Sequence, residues 1–333
     1  MPPSPEPPPA APRRTITTAD LALSAIVLGP PEGAPLLAIH GSMDHGGTFL
    51  PLADALLAAD PGLRLALLDR RGFGRSERLT AGRYAFLDHV ADALDAVDAL
   101  RADGARHDVV LAGHSLGSLI ALAAAAALEP RTPPVTPPTT PPESPPESPP
   151  ESPPKPDARP APETGTSPRC RALILLDTFP PKPPEDPVAD LLAAARDRRR
   201  RPPAALIRAD RAEALARLRA RHARVPEAAL RRWAAEGLIE RDDGRVEHAL
   251  DPRHRLRDPI VLRPDLVTAM AARVTAPVLA LRGADSVVRE APAWLDAFPS
   301  VRRVDIPDAG HMLHLEQAEA VSDAIRSFLA EIG

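Results

Sequence analysis

The sequence predicts an α/β protein with a largely parallel sheet covered by helices on both faces. Two observations carry this. Short runs are apolar on successive positions, as strands buried on both faces are. Helical patterns alternate with them, which is how parallel strands are joined. The runs are PLLAIHG (35–41), RLALLDRRG (64–72), DVVLAGHS (108–115), RALILLD (171–177) and PVLALRG (277–283), each ending abruptly in polar or glycine residues. In DHVADALDAVDALRADG, Val90, Leu94, Val97 and Leu100 repeat every three or four positions, with Asp88, Asp92, Asp95 and Asp98 directed elsewhere and Gly104 at the end. The run LGSLIALAAAAALE after Ser115 has high helix propensity and few polar groups, so a buried helix is expected there. VRRVDIPD reads as a last strand and residues 318–330 as a C-terminal helix.

Residues 180–273 break the rhythm. They are rich in Ala, Leu and Arg, and three or four helices fit. Pro226 suits a helix start, and Asp243-Gly244 a turn or hairpin. The basic cluster Arg196 and Arg198–Arg201 lacks interleaved aromatic residues and reads as a solvated face.

Proline is unevenly spread. Of 44 prolines in 333 residues, seven fall in 1–14 and 17 in 130–168. Residues 1–14 are therefore expected as a Pro-rich disordered arm, without the apolar core of a signal peptide. Residues 130–168, with three PPES units, cannot bury enough apolar surface to offset ordering entropy. They are expected as a disordered insertion, with a proline-recognising protein as the one partner they suggest. A net charge of −4 gives no sign of nucleic acid or an anionic membrane. One cysteine, Cys170, excludes an internal disulfide and reads as a packed residue. No apolar run nears the ~20 residues of a membrane helix. The expectation is a soluble, cytoplasmic protein.

The sharpest chemical signal is Gly113-His114-Ser115-Leu116-Gly117, a G-x-S-x-G between a buried strand and a helix. A sharp strand-to-helix turn strains the serine backbone and leaves no room for side chains at the flanking glycines. It also aims the free N–H groups of a helix N-terminus at a developing oxyanion. Ser115 is thus the candidate nucleophile. A serine needs a base. His311, in the loop between the last strand and the C-terminal helix, is that candidate, with His314 its local competitor. His40 and His114 read as positional, His45 as a residue near the site, and His89, His107, His222, His248 and His254 as surface or structural. Two acids end strands, Asp177 and Asp285, and both preserve the chain order Ser, Asp, His. Backbone N–H groups of Leu116 and Ser42 are expected to form the oxyanion hole, and His40, Gly41, Met43, Asp44 and His114 to line the substrate pocket. Asp69–Ser76 is a further glycine-punctuated turn, read as a structural loop. Neither a dinucleotide fingerprint, a P-loop nor a Cys/His ligand set is present. No cofactor and no metal are expected.

HGSMDHGGTF, DRRGFGRS, GHSLG and AGHMLHLEQ occur in the order and spacing of the α/β-hydrolases, which the chain resembles over about 34–331. It is similar more narrowly to the serine hydrolase-like branch, through HGSMDHGGTF, YAFLDHVADALDAV, LLDTFPP and DPRHRLRDPI. The resemblance implies a mostly parallel eight-stranded sheet flanked by helices, with a helical cap between the sixth and seventh strands. Residues 15–129, 169–179 and 274–333 then form the core and 180–273 the cap. Family members commonly place the acid in a G-x-x-D turn after the seventh strand, where this chain has Ser286, with Asp285 one residue early. Others place it at the end of the sixth strand, where Asp177 stands. Ser118 replaces a second glycine that often follows the elbow. The function implied is cofactor-independent hydrolysis of a small carboxylic ester, with amide and carbon–carbon bond hydrolysis as variants. The rival is a ligand-binding protein whose triad is idle. Ser115 precedes residues 130–168, whereas His311 and both acids follow them. That segment is therefore read as an excursion within one sheet, not a linker between domains.

Overall fold

The buried-strand runs become the middle of an eight-stranded sheet. The computed structural model describes residues 11–104, 108–129, 169–179, 185–197, 199, 203–256 and 262–333. Its strands are β1 (Arg13–Thr17), β2 (Ala22–Leu28), β3 (Ala34–Ile39), β4 (Leu63–Asp69), β5 (Val109–His114) and β6 (Cys170–Leu176). The short β7 (Ile207–Arg208), β8 (Leu238–Glu240) and β9 (Val246–His248) come next, then β10 (Val278–Gly283) and β11 (Val301–Ile306). Helices are α1 (Leu50–Ala59), α2 (Phe86–Ala102), α3 (Leu116–Leu128), α4 (Pro187–Asp197), α5 (Arg211–Arg221), α6 (Glu227–Gly237), α7 (Pro264–Ala271), α8 (Leu313–Glu316) and α9 (Ala318–Glu331).

The large sheet has the order β1-β2-β4-β3-β5-β6-β10-β11. Only the pairs β1/β2 and β2/β4 are antiparallel. Successive side chains of a strand point to opposite faces, and here both faces are covered. Leu37, Leu111, Leu173 and Leu175 join one core with α2 and α3, while Leu36, Val110, Ala172 and Ile174 join the other with α1 and α9. This is why these strands read as unbroken apolar runs. Cys170 lies buried within the first core, and burial pushes its thiol up to about 12, an unreactive state.

Strand β3 lies between β4 and β5, so the chain direction across the sheet reverses there. Ligands of open α/β sheets bind outside the carboxyl ends of strands at such a switch point. The ends of β3, β5, β6 and β10 carry His40, Ser115, Asp177 and the Gly283–Ser286 turn, and His311 follows β11.

Two expectations about the ends of the sheet change. Residues 1–10 of the predicted arm lie outside the described residues. Arg13 and Arg14, also assigned to that arm, instead open β1. Arg13 is held by ion pairs of 2.6 Å to buried Asp69 and 2.5 Å to Glu236 of α6. Charge on an edge strand is a common device against unwanted pairing. It also removes the apolar signal, which is why β1 is not legible as a strand.

Residues 130–168, and with them any proline-ligand role, lie outside the described residues. The chain on both sides belongs to one compact unit. Strands β5 and β6, which flank the insertion, are hydrogen-bonded neighbours from Val109 and Cys170 onward.

Between β6 and β10 the helices α4, α5 and α6 accompany a small antiparallel sheet, β7-β9-β8. The predicted turn at Asp243-Gly244 closes the β8–β9 hairpin, with Gly244 in the left-handed region at φ 77°. Strand β7 has only two residues, too few to give a periodic signal. Helix α7 departs from the expected boundary. Its Val267 and Ala271 are fully buried in the main core, so this last part of the presumed cap packs as a core element.

Candidate functional site

Ser115 sits at the junction of β5 and α3 with φ 54° and ψ −119°. L-residues rarely adopt this conformation, and it marks stored backbone strain. The flanking glycines make the turn sterically feasible. A Cβ on Gly113 would lie 2.2 Å from the Gly117 carbonyl oxygen, and one on Gly117 would lie 2.1 Å from that of Ile39. Ser118 fits without cost. It is fully buried, and its hydroxyl donates to the Gly113 carbonyl at 2.6 Å.

Of the two candidate acids, Asp177 is the one that meets His311. His311 Nδ1 lies 2.6 Å from Asp177 Oδ2, and Asp177 is 1% exposed. Asp177 follows β6 with φ 46°, its backbone N–H donating to Leu281 at 2.8 Å. Its Oδ1 accepts the Gly283 N–H at 3.0 Å, and its Oδ2 accepts the Ser286 hydroxyl. The carboxylate is thus oriented from three sides.

Asp285, the other candidate acid, makes no such contact. Its side chain is half exposed and pairs with Arg224 at 2.6 Å. The turn after β10 faces Asp177 through Ser286, while the neighbouring Asp285 points to the surface pair. A one-residue offset in this turn exchanges a carboxylate for a hydroxyl at the inward position. Ser286, at the position where a G-x-x-D turn carries its acid, donates its hydroxyl to the Asp177 carboxylate instead.

His311 and the elbow are tied together by His114. Its Nε2 donates to the His311 carbonyl at 2.8 Å, with ring centroids 4.6 Å apart. His314 is fully buried and stacked on Phe49, and burial lowers it to about 3, so it is a weaker base than an exposed histidine. The ring of Phe179 lies 4.8 Å from that of His311. Met312 and Leu315, just after His311, pack under Leu230 and Trp233 of α6.

The turn after β3 borders the serine. A Cβ on Gly41 would lie 3.1 Å from Ser115 Cβ. His40 is buried; its Nε2 accepts the Arg70 N–H at 3.1 Å and its Nδ1 donates to the Gly41 carbonyl at 2.8 Å. This fixes a neutral tautomer, in keeping with a basicity lowered by burial. Ser42 and Leu116, the expected oxyanion donors, line one cavity of about 220 Å³ together with Met43. Met43 is itself at φ 61°.

Other residues stand where the sequence did not put them. Arg70, Tyr84, His89 and His254 line the same cavity. Of the two histidines, His89 is 6% exposed and His254 stacks on Tyr84 at 3.8 Å, the structural rather than the surface alternative. The Asp69–Ser76 turn lies against the small sheet: Gly74 N–H donates to Ala249 and Asp251 N–H to Gly72, each at 2.7 Å. Asp92, expected away from the apolar face of α2, is fully buried, and its carboxylate accepts from Arg71 at 2.6 and 2.7 Å.

Among the described residues one group could share a metal ion. Asp44, His114 and His314 are buried with donor atoms within 4.8 Å of one another. Burial pushes the Asp44 carboxyl up from 3.8 to about 7, partly offset by the His45 N–H at 3.0 Å. Between about pH 4 and 7 the unfolded chain therefore releases a proton that the folded chain keeps. Folding stability falls as pH rises through that window and levels off above it, by on the order of 4 kcal/mol. Asp44→Asn should remove this slope when chelator-treated protein is unfolded in urea at pH 4, 6 and 8.

A family described as "Serine aminopeptidase, S33" matches residues 30–134, the stretch containing the turn after β3 and the elbow. No curated protein matches the chain. Similar solved structures include a hypothetical protein from Pseudomonas aeruginosa, 23% identical with a TM-score of 0.72 over 96% of this chain and 98% of that one. The thioesterase domain from the curacin biosynthetic pathway is 21% identical, with a TM-score of 0.73 over 96% and 100%. A thermophilic esterase from Thermogutta terrifontis is 21% identical, with a TM-score of 0.61 over 97% and 99%. No helix among the described residues is long and apolar enough to cross a membrane. The sheet order, the strained serine turn at its switch point and these likenesses together give the chain the α/β-hydrolase fold.

Proposed function

We propose that the protein is a serine hydrolase that cleaves carboxylic esters through an acyl-enzyme on Ser115. The observation that carries this reading is the 2.6 Å contact of His311 Nδ1 with buried Asp177, beside the strained Ser115 turn. A carboxylate at Nδ1 keeps the proton there and leaves Nε2 as the acceptor. In the proposed mechanism His311 Nε2 takes the Ser115 hydroxyl proton as Oγ attacks the ester carbonyl. The negative charge collects on the former carbonyl oxygen, held by the N–H groups of Leu116 and Ser42. His311 returns its proton to the leaving alcohol, and water, activated by the same imidazole, releases the acid. The Asp177 carboxylate stabilises the imidazolium. The likeness to a thioesterase domain makes thioesters the second class to assay.

A fluorophosphonate probe tests the reading. Wild-type protein should be labelled on Ser115, and Ser115→Ala should take up none. An unlabelled native protein would instead leave a ligand-binding role on a hydrolase fold.

A further inference from the structure

The cavity beside Ser42 and Leu116 contains a cation that the proposed reaction does not use. Arg70 is 2% exposed. Its carbon Cζ lies 4.6 Å from the Phe73 ring centroid, its Nη2 donates to the Gly41 carbonyl at 2.7 Å, and among the described residues its Nε has no partner. Among the described residues no carboxylate comes within ion-pair distance of it, whereas Arg71 is paired with Asp92 and Arg13 with Asp69. The carboxylates that act on it from farther away are Asp44 and Asp92, and Asp92 is already held by Arg71. The imidazoles around it, His40, His89 and His254, are kept neutral by burial.

A buried guanidinium with one carbonyl acceptor is a costly arrangement. Its charge would be compensated by an anion entering the cavity. An arginine fork suits a carboxylate, which can accept two of its N–H groups at once. The cavity volume of about 220 Å³ is room for about seven waters, or a short chain. Its other walls include Phe73 and Phe86, which suit methylenes.

We infer that Arg70 is a carboxylate-recognition residue and that the cavity takes short esters bearing a free carboxylate, such as half-esters of dicarboxylic acids. The ester would sit at Ser115 and the carboxylate at Arg70. This rests on the reading of Ser115 as nucleophile, but its binding component can be measured without turnover.

Calorimetry on Ser115→Ala would compare the monomethyl esters of succinate, glutarate and adipate with the corresponding dimethyl esters. At least one half-ester should bind about 10-fold or more tightly than its diester. Arg70→Gln in the same background should abolish that difference, while Arg70→Lys keeps part of it. A role confined to propping Gly41 would leave charge discrimination unchanged. Should Arg70→Gln not fold, protection of wild-type protein from fluorophosphonate by glutarate, compared with neutral glutaramide, gives the same discrimination without that variant. If no half-ester binds more tightly than its diester, or if glutarate protects no better than glutaramide, the inference is overturned. Absent labelling with intact half-ester binding would overturn only the nucleophile.

Discussion

Asp177→Asn should lower kcat for a 4-nitrophenyl ester by about 10⁴-fold, whereas Asp285→Asn should leave it within about twofold. The first value follows from the tautomer. An amide at residue 177 can donate its N–H to His311 Nδ1, which puts the ring proton on Nε2. The imidazole then has no lone pair for the Ser115 proton. Even in the correct tautomer, an amide does not stabilise the imidazolium. The Gly283 N–H, which donates to Asp177 Oδ1, would hold the amide oxygen in that place and turn the NH2 group towards His311. The second value follows from exposure. Asp285 and Arg224 form a half-exposed ion pair, a class that contributes little to stability. Steady-state rates at saturating substrate, with circular dichroism to verify folding, decide the matter. Comparable losses in both variants would remove Asp177 from its proposed role.

Gly117→Ala should destabilise the fold by about 3 kcal/mol and lower turnover by at least about 10²-fold. Alanine is the better helix former by about 1 kcal/mol, so propensity alone predicts the opposite sign. Sterics decide, because the new methyl would meet the carbonyl oxygens of Ile39 at 2.1 Å and His40 at 2.7 Å. Both are backbone atoms and cannot swing aside. Relief requires the end of β3 to move away from the first turn of α3. Those two segments carry Ser42 and Leu116, the proposed oxyanion donors, so the clash is felt in catalysis as well as stability. Ser118→Ala, one residue on, is the control. It loses one buried hydroxyl bond to Gly113, about 1 kcal/mol, and should keep nearly full turnover. Thermal melts and ester hydrolysis of the two variants separate the effects.

The serine turn was legible because its chemistry and its sterics share one short segment. Gly113, Ser115 and Gly117 are five residues end to end, and a strand run and a helix run flank them. The inner strands were legible because burial on both faces leaves an unbroken apolar run. Strand β1 was not, since its edge position lets it carry Arg13 and Arg14. The buried Asp92 was hidden for a related reason. An acid on a helix reads as solvated unless its partner is known, and Arg71 lies on a distant turn.

The sequence by itself determined the α/β class, the nucleophile candidate, the histidine after the last strand and that the chain before and after residues 130–168 contributes to one sheet. Each of these rests on residues adjacent in the chain or on their order along it. Tertiary structure alone decided that Asp177 and not Asp285 meets His311, that Ser286 donates to Asp177, and that Arg70 lines the cavity with no carboxylate at ion-pair distance among the described residues. These depend on which way a side chain points at the end of a strand and on what a different strand brings beside it. A shift of one residue in the turn after β10 separates an inward hydroxyl from an outward carboxylate, and no local pattern in the chain records that direction.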